Sequence, residues 1–280
     1  MKISLFTLVM AEYSLEEVIE AAARIGYDGI EFRGMAPHLA VDMPVERVKD
    51  MRTLMDDAGM RTSCIATYGG RYSTISDEDC LKQIEELKVF LEFAGLLGCD
   101  LVRHAPGRPR PKDATKEQFN RSVEWMRKAA DVAASAGCRL AAELHFGGLT
   151  ESAQDGDTYL KAVNRPNVGV IFDPGNMYIS HAPYGEEEVK LLGERIFHVH
   201  VKDELKVDSL LDKSCFNAGG EIYQHKLLGE GAVDHVPAFR ALKAIGYGGY
   251  LSCECHGAVG DKAAVAEREY NTMKHQVETM

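Results

Sequence analysis

Short runs of β-branched and other apolar residues alternate with amphipathic stretches along the whole chain. Such alternation is typical of strand and helix units arranged around a parallel sheet. The runs predict eight strands. They cover residues 2–7, 29–33, 61–67, 100–105, 139–145, 168–173, 196–202 and 249–254.

The stretches between the predicted strands carry signals for helix ends. Ser14 with Glu17, and Thr115 with Gln118, match the capping box at a helix N-terminus. Glycines follow the amphipathic stretches at the places where helices commonly end. These glycines are Gly26, Gly59, Gly98, Gly137 and Gly246.

One short segment occurs twice, which supports construction from repeated units. Residues 25–29 (IGYDG) recur as residues 245–249 (IGYGG), each time between a helix and a strand with a glutamate near its end. The two glutamates are Glu31 and Glu254. Eight such units predict an α/β protein, a (β/α)8 TIM barrel that occupies residues 1–280 as a single domain.

An open, doubly wound sheet is the alternative fold. It is disfavoured because no G-x-G-x-x-G follows the first predicted strand and no P-loop occurs. A long loop is predicted over residues 203–234. Loops of this length at the C-terminal face of a barrel usually belong to the active site. We therefore expect the loop to border that site, with Lys206 and His225 as candidates to reach a substrate.

Composition narrows the classes of partner. With 45% hydrophobic and 27% charged residues, the chain can bury a sizeable core. Its formal net charge of −11 disfavours nucleic acid. Without an apolar run of 18 residues or a leader pattern we expect no membrane association and a cytoplasmic location. The seven cysteines form no C-x-x-C pair, so we expect reduced thiols.

Polar residues stand at the ends of four consecutive predicted strands, the fifth to the eighth. In a barrel of this type the catalytic groups lie at those C-terminal ends. Side chains alternate between two faces, so residues two apart share a face, and Cys253 and Cys255 point outward, away from Glu254. The candidates are Glu143 and His145, then Asp173 and Asn176, then His198, His200 and Lys202, and finally Glu254 and His256.

These residue types indicate a metal site. Glu143, Asp173, Glu254 and one histidine of the seventh strand would form an oxygen-rich site, suited to one divalent ion such as Mn, Mg, Co or Zn. Buried carboxylates otherwise need protonation or ion pairs. The alternative is therefore that Glu143 and Asp173 pair with Arg103 or Lys202 across the barrel.

At these residues the chain resembles the sugar phosphate isomerase/epimerase superfamily, which has the xylose isomerase-like TIM barrel. The resemblance implies that the metal ligands are Glu143, Asp173, His200 and Glu254, and that His198 is a supporting or core histidine. The matching segments are Ala142-Glu143-Leu144-His145, Phe172-Asp173-Pro174-Gly175-Asn176, His198-Val199-His200-Val201-Lys202-Asp203, Leu228-Gly229-Glu230-Gly231 and Gly246-Tyr247-Gly248-Gly249-Tyr250.

The superfamily contains ketose 3-epimerases, hydroxypyruvate isomerases, inosose dehydratases and endonuclease IV. Ketose 3-epimerases and endonuclease IV often have a histidine three residues after the aspartate, where this chain has Asn176. Endonuclease IV also needs three metals and a basic groove, which an acidic chain does not indicate. An apurinic endonuclease is therefore disfavoured.

The favoured function is a metal-dependent isomerase or epimerase that acts on a small sugar or keto-polyol through an enediolate. Glu143 and Glu254 would be the acid and base. His104, His145, His256, Asn176 and Lys202 are candidates to contact the substrate. The alternatives are a dehydratase or β-eliminating lyase that uses the same metal site, and a sugar-binding barrel without catalysis.

The sequence leaves four properties open: the exact substrate, whether it carries phosphate, the metal, and whether the chain forms a homo-oligomer. The loop of residues 107–112, Gly-Arg-Pro-Arg-Pro-Lys, is locally basic and could meet an anion. A solvated loop is the preferred interpretation of that segment.

Overall fold

Eight parallel strands close a barrel in the computed structural model, which describes residues 1–255 and 260–280. The predicted TIM barrel is confirmed. Each strand pairs with its neighbours in chain order, and the first pairs with the last. The barrel strands are Lys2–Phe6 (β1), Gly29–Arg33 (β2), Arg61–Gly70 (β3), Leu101–Ala105 (β4), Arg139–Glu143 (β5), Val168–Phe172 (β6), Ile196–Val201 (β7) and Tyr250–Cys253 (β11).

Helices surround the barrel and connect its strands. Both predicted capping boxes are present, at Ser14 and at Thr115. Gly26 ends the first helix with a φ of 107°, a left-handed conformation that glycine adopts without strain. The helices are Leu15–Ile25 (α1), Val45–Asp57 (α2), Asp77–Leu97 (α3), Lys116–Ser135 (α4), Ala153–Val163 (α5), Pro174–Ile179 (α6), Glu186–Leu192 (α7), Val236–Ala244 (α8) and Lys262–Thr279 (α9).

The segment after β7 is not the loop that its composition predicts. It forms a three-stranded antiparallel sheet of Asp203–Val207 (β8), Cys215–Ala218 (β9) and Glu221–Lys226 (β10), in the order β8-β10-β9. Gly219 and Gly220, both at positive φ, make the two-residue turn between β9 and β10. Glycine-glycine is a common hairpin turn, so the sequence carried a signal for these strands.

This small sheet lies over the C-terminal end of the barrel, as expected for the segment. Tyr223 and Ala218 pack with Ile179 of α6, and Phe146, which follows β5, packs against the same cluster. Asp203 holds the end of the segment by accepting hydrogen bonds from the backbone N–H groups of three residues. These residues are Gly229, Gly231 and Val233.

Side chains of the last barrel strand alternate between the barrel interior and the surrounding core, as predicted. Cys253 and Cys255 are buried in the core outside the barrel interior, beside Tyr27 and Glu269, and the cysteines of the described residues are free thiols. Within residues 1–255 and 260–280 no helix is long and apolar enough to cross a membrane.

Candidate metal centre

Four candidate ligands lie together at the C-terminal end of the barrel. One donor atom from each of Glu143, Asp173, His200 and Glu254 lies within 4.8 Å of the others, and all four side chains are buried. Glu143 is the last residue of β5 and His200 lies near the end of β7, while Asp173 and Glu254 directly follow β6 and β11. The parallel strands therefore bring together residues that are distant in sequence.

The start of α6 orients Asp173. The Asp173 carboxylate caps this helix, and its Oδ1 accepts a hydrogen bond of 2.8 Å from the backbone N–H of Asn176. The other oxygen, Oδ2, is left to face the cluster. A Cβ at Gly175 would lie 2.6 Å from Cγ of Lys202, so glycine lets that lysine approach the carboxylates.

His200 has two different neighbours on its two ring nitrogens. Nδ1 lies 3.2 Å from Oε1 of Glu143 and 3.1 Å from Oε2 of Glu254. Nε2 lies 3.1 Å from Oε1 of Glu31, a carboxylate on the far side of the ring. A proton on Nε2 that is donated to Glu31 leaves Nδ1 as a basic nitrogen among the carboxylates, which is the tautomer a metal ligand needs.

Glu31 is the functional residue that the sequence analysis missed. This fully buried carboxylate of β2 also accepts hydrogen bonds from His198 Nε2 at 3.0 Å and from Ser252 Oγ. It therefore holds both histidines of β7, and His198 takes a supporting position. The signal was available, because the repeated segment places a glutamate near the end of β2 as it does near the end of β11.

The ion pairs that formed the alternative interpretation are both present. Arg103 donates to Glu143 at 2.9 Å, and the Lys202 ammonium lies 2.8 Å from both Asp173 and Glu254. Despite these pairs the cluster is not neutral. It holds four buried carboxylates, counting Glu31, against the two permanent cations Arg103 and Lys202.

The charges shift the pKa values of the cluster in consistent directions. Burial opposes ionisation of Glu143, but the Arg103 guanidinium together with His200 and His145 outweighs it and holds the pKa of Glu143 well below its usual value. Burial likewise opposes a charged His200, but Glu254 and Glu31 raise its pKa well above the ordinary value. The raised pKa of His200 reflects the carboxylates around its ring, whose negative charge a bound cation would balance in place of the ring proton.

A divalent cation fits this donor set. Three carboxylates and one neutral imidazole nitrogen converge, and two positive charges would balance the two negative charges that Arg103 and Lys202 leave uncompensated. The described residues contain one further candidate group, Glu31, His198 and His200. It shares His200, and we interpret it as the support of the first group.

The predicted substrate contacts have different positions. Asn176 is buried and donates to Glu143 at 3.1 Å and to Asp173 at 2.5 Å, so its amide orients the carboxylates. His145 lines a cavity of about 160 Å³ beside Glu143 and Arg103. Burial lowers the pKa of His145, although Glu143 opposes this shift. Lys202 lies within the cluster itself.

Three predicted contacts lie elsewhere. His104 is bonded to Tyr72 at 2.6 Å, on the face of β4 opposite to Arg103, and burial lowers its pKa to about 4. Lys206 pairs with Glu221 and His225 with Glu204, both on the small sheet. The structure does not bring any of the three to the cluster. His256 lies outside the described residues.

Comparison with known proteins agrees with this fold. The family model described as "Xylose isomerase-like TIM barrel" matches residues 19–275. The chain belongs to this family. An inosose dehydratase of Glaesserella parasuis serovar 5 (strain SH0165) is 26% identical over 261 residues, which are 87% of this chain and 83% of that protein. An inosose dehydratase of Geobacillus kaustophilus (strain HTA426) is 25% identical over 268 residues, with 86% and 80% covered.

Solved structures support the same fold. The probable 3-DHS dehydratase AsbF of Bacillus anthracis superimposes with a TM-score of 0.83 at 19% identity, over 98% of this chain and 99% of that one. An L-ribulose 3-epimerase gives 0.80 at 22% identity, over 99% and 95%. The IOLI protein with a bound zinc atom gives 0.82 at 21% identity, over the whole of both chains. At these identities the similarities show the fold and leave the reaction open.

Proposed function

We propose that this family member is a divalent-metal-dependent dehydratase that removes water from a small sugar or polyol ketone. The observation that carries the proposal is the convergence of Glu143, Asp173, His200 and Glu254 beside a cavity lined by His145. A divalent ion held there would polarise a substrate carbonyl and stabilise the negative charge that develops when the adjacent carbon loses a proton.

His145 is suited to remove that proton. Its Nδ1 lies 2.8 Å from the backbone carbonyl of Phe146, which can only accept a hydrogen bond. Nδ1 therefore carries the proton of the neutral ring, and Nε2 is the basic nitrogen. The imidazolium that forms can return the proton to the hydroxyl on the next carbon. The C–O bond breaks as that hydroxyl leaves as water, and a C=C bond forms.

The contacts of Glu143 favour this reaction over epimerisation. An epimerase of the two-glutamate type needs Glu143 and Glu254 to exchange protons with opposite faces of one carbon. Glu143, however, bonds Arg103 through Oε2, and its Oε1 faces both Asn176 and His200. A carboxylate with both oxygens engaged is a poor proton carrier, so we assign Glu143 to metal binding. The inosose dehydratase relatives agree with elimination.

Isomerisation or epimerisation, which the sequence favoured, is the second candidate. It is supported by Glu143 and Glu254, which flank Nδ1 of His200 at 3.2 and 3.1 Å, and by the epimerase among the structural neighbours. The two candidates differ in whether the substrate loses water after its carbon-bound proton is removed.

The deciding experiment is a screen of keto-sugars and cyclic polyol ketones in deuterated buffer with the Mn- or Zn-loaded chain. Mass spectrometry would follow the loss of one water, and NMR would follow deuterium incorporation. We expect water loss that falls at least about 100-fold in His145→Gln with metal content unchanged. Deuterium incorporation without water loss would assign isomerisation or epimerisation instead. Undiminished water loss in His145→Gln would refute His145 as the base.

A further inference from the structure

The cavity beside the metal centre is lined by more arginines than its one ion pair, Arg103 with Glu143, accounts for. Besides Glu143 and His145 it is lined by three arginines, Arg71, Arg103 and Arg108. Arg103 is paired with Glu143. Positive charge is thus concentrated at this cavity although the chain as a whole has a net charge of −11.

Arg71 and Arg108 have no acidic partner among residues 1–255 and 260–280. Other arginines of this region do: Arg110, in the same loop as Arg108, pairs with Glu151 at 2.8 Å. A chain with 43 acidic residues offers many carboxylates. Two unpaired guanidinium groups at one cavity therefore indicate a site for an external anion, for which arginine is the preferred residue.

The backbone holds these two arginines at the same cavity. The N–H of Arg71 donates to the carbonyl of Ala105 at 2.8 Å, and the Ser73 hydroxyl donates to the carbonyl of Arg108. A Cβ at Gly107 would lie only 3.1 Å from the carbonyl carbon of Arg71, so the two loops touch at a glycine. The loops after β3 and β4 are thus fastened together with both side chains lining the cavity.

The backbone at Arg71 is strained, which supports a role beyond solvation. Its φ is 61°, a left-handed conformation that residues with a side chain rarely adopt. Strain of this kind is concentrated at functional sites, where the surrounding structure holds it in place. Arg71 is held by its hydrogen bond to the carbonyl of Ala105, and the preceding residue must be Gly70 because a Cβ there would lie only 2.2 Å from the same carbonyl oxygen.

We propose that Arg71 and Arg108 bind an anionic group of the substrate, a carboxylate or a phosphate, while the metal centre acts on its ketone. The inference rests on the proposed function and deepens it, because it restricts the substrate to hydroxy-ketones that bear a negative charge. Arg108 is in the basic loop of residues 107–112, for which solvation was the preferred interpretation.

A matched set of polyols tests the anion site without knowledge of the true substrate. D-Glucitol, D-gluconate and D-glucitol 6-phosphate share a six-carbon hydroxylated chain and differ in carrying no charge, a carboxylate or a phosphate. Their affinities for the Mn-loaded full-length chain would be measured by calorimetry. We expect at least one anionic polyol to bind about tenfold more tightly than glucitol, and the preferred anion identifies the group that the site accepts.

Substitutions separate arginine recognition from direct binding of the anion to the metal. Arg71→Gln and Arg108→Gln should each reduce the preference for the anion about fivefold or more. Lys112→Gln removes the same charge from the same loop, at a residue that does not line the cavity, and should leave the preference unchanged. Equal affinities for all three polyols, no binding of either anion, or a preference that survives both arginine substitutions would overturn the proposal.

Failure of this proposal is distinguishable from failure of the proposed function. Metal content and water loss would be measured on the same protein preparations. A chain that loses the metal-dependent reaction but keeps an arginine-dependent anion preference retains the anion site and contradicts the proposed function. A chain that dehydrates neutral and anionic ketones equally well retains the function and contradicts the anion site.

Discussion

Replacement of Glu31 tests the support of the metal centre, because this carboxylate would not touch the ion. Its two oxygens accept hydrogen bonds from three donors: His200 at 3.1 Å, His198 at 3.0 Å and the Ser252 hydroxyl. Glu31 thereby fixes the ring of His200 so that Nδ1 faces the carboxylates. It also supplies one of the negative charges that a cation would balance.

In Glu31→Gln one of these oxygens becomes an amide NH2, which cannot accept a hydrogen bond. At least one buried donor of the three then loses its partner unless a ring changes tautomer, at a cost of about 1–3 kcal/mol. His200 also loses an ionised partner that raises its basicity. Loss of such a carboxylate behind a histidine ligand typically weakens metal binding 10- to 100-fold. This corresponds to roughly 1.4–2.7 kcal/mol.

The assay is competition for Mn or Zn between the protein and a chromogenic chelator, with calorimetric unfolding of the metal-free chain to check the fold. Glu204→Gln is the matched control, because Glu204 is equally buried but bonds His225 on the small sheet. We expect the control to bind metal as the wild type does. A metal affinity of a folded Glu31→Gln within twofold of the wild type would show that Glu31 does not support the ligand histidine.

Three further predictions concern other parts of the chain. His200→Ala should lower metal affinity much more than His198→Ala, and equal losses in the chelator assay would contradict the ligand assignment. Glu254→Gln should weaken metal binding modestly but leave the turnover of the metal-loaded chain near that of the wild type, because His145 carries the proton in the proposed elimination; a fall of about 100-fold or more at full metal content would assign proton transfer to Glu254. Burial raises the pKa of Glu269 to about 7, so the folded chain retains a proton that the unfolded chain releases above about 4.5. Stability should therefore fall as pH rises from about 4.5 to 7 and then level off. Glu269→Gln should remove this fall in denaturant titrations at pH 5 and 8, and parallel curves for both proteins would contradict it.

The sequence was sufficient for the barrel and for the donor set of the candidate metal site. Strand and helix periodicity is encoded within a few neighbouring residues, and so are capping boxes such as Ser14 with Glu17. Because parallel barrel strands end on one face, it follows that Glu143, Asp173, His200 and Glu254 meet once the strands are assigned. The alternation of side chains along β4 also implies that His104 faces away from its neighbour Arg103. The prediction of His104 as a substrate contact did not take this into account.

Only the tertiary structure decided which residues meet across the barrel. Glu31 is 169 residues from His200 in sequence, and no local pattern reports a hydrogen bond between strands that are not neighbours in the barrel. The same holds for Arg71 and Arg108 of the cavity, whose proximity depends on how two loops touch at Gly107. Local periodicity sets which face a side chain occupies, whereas its partner depends on the distances and angles of closed-barrel packing.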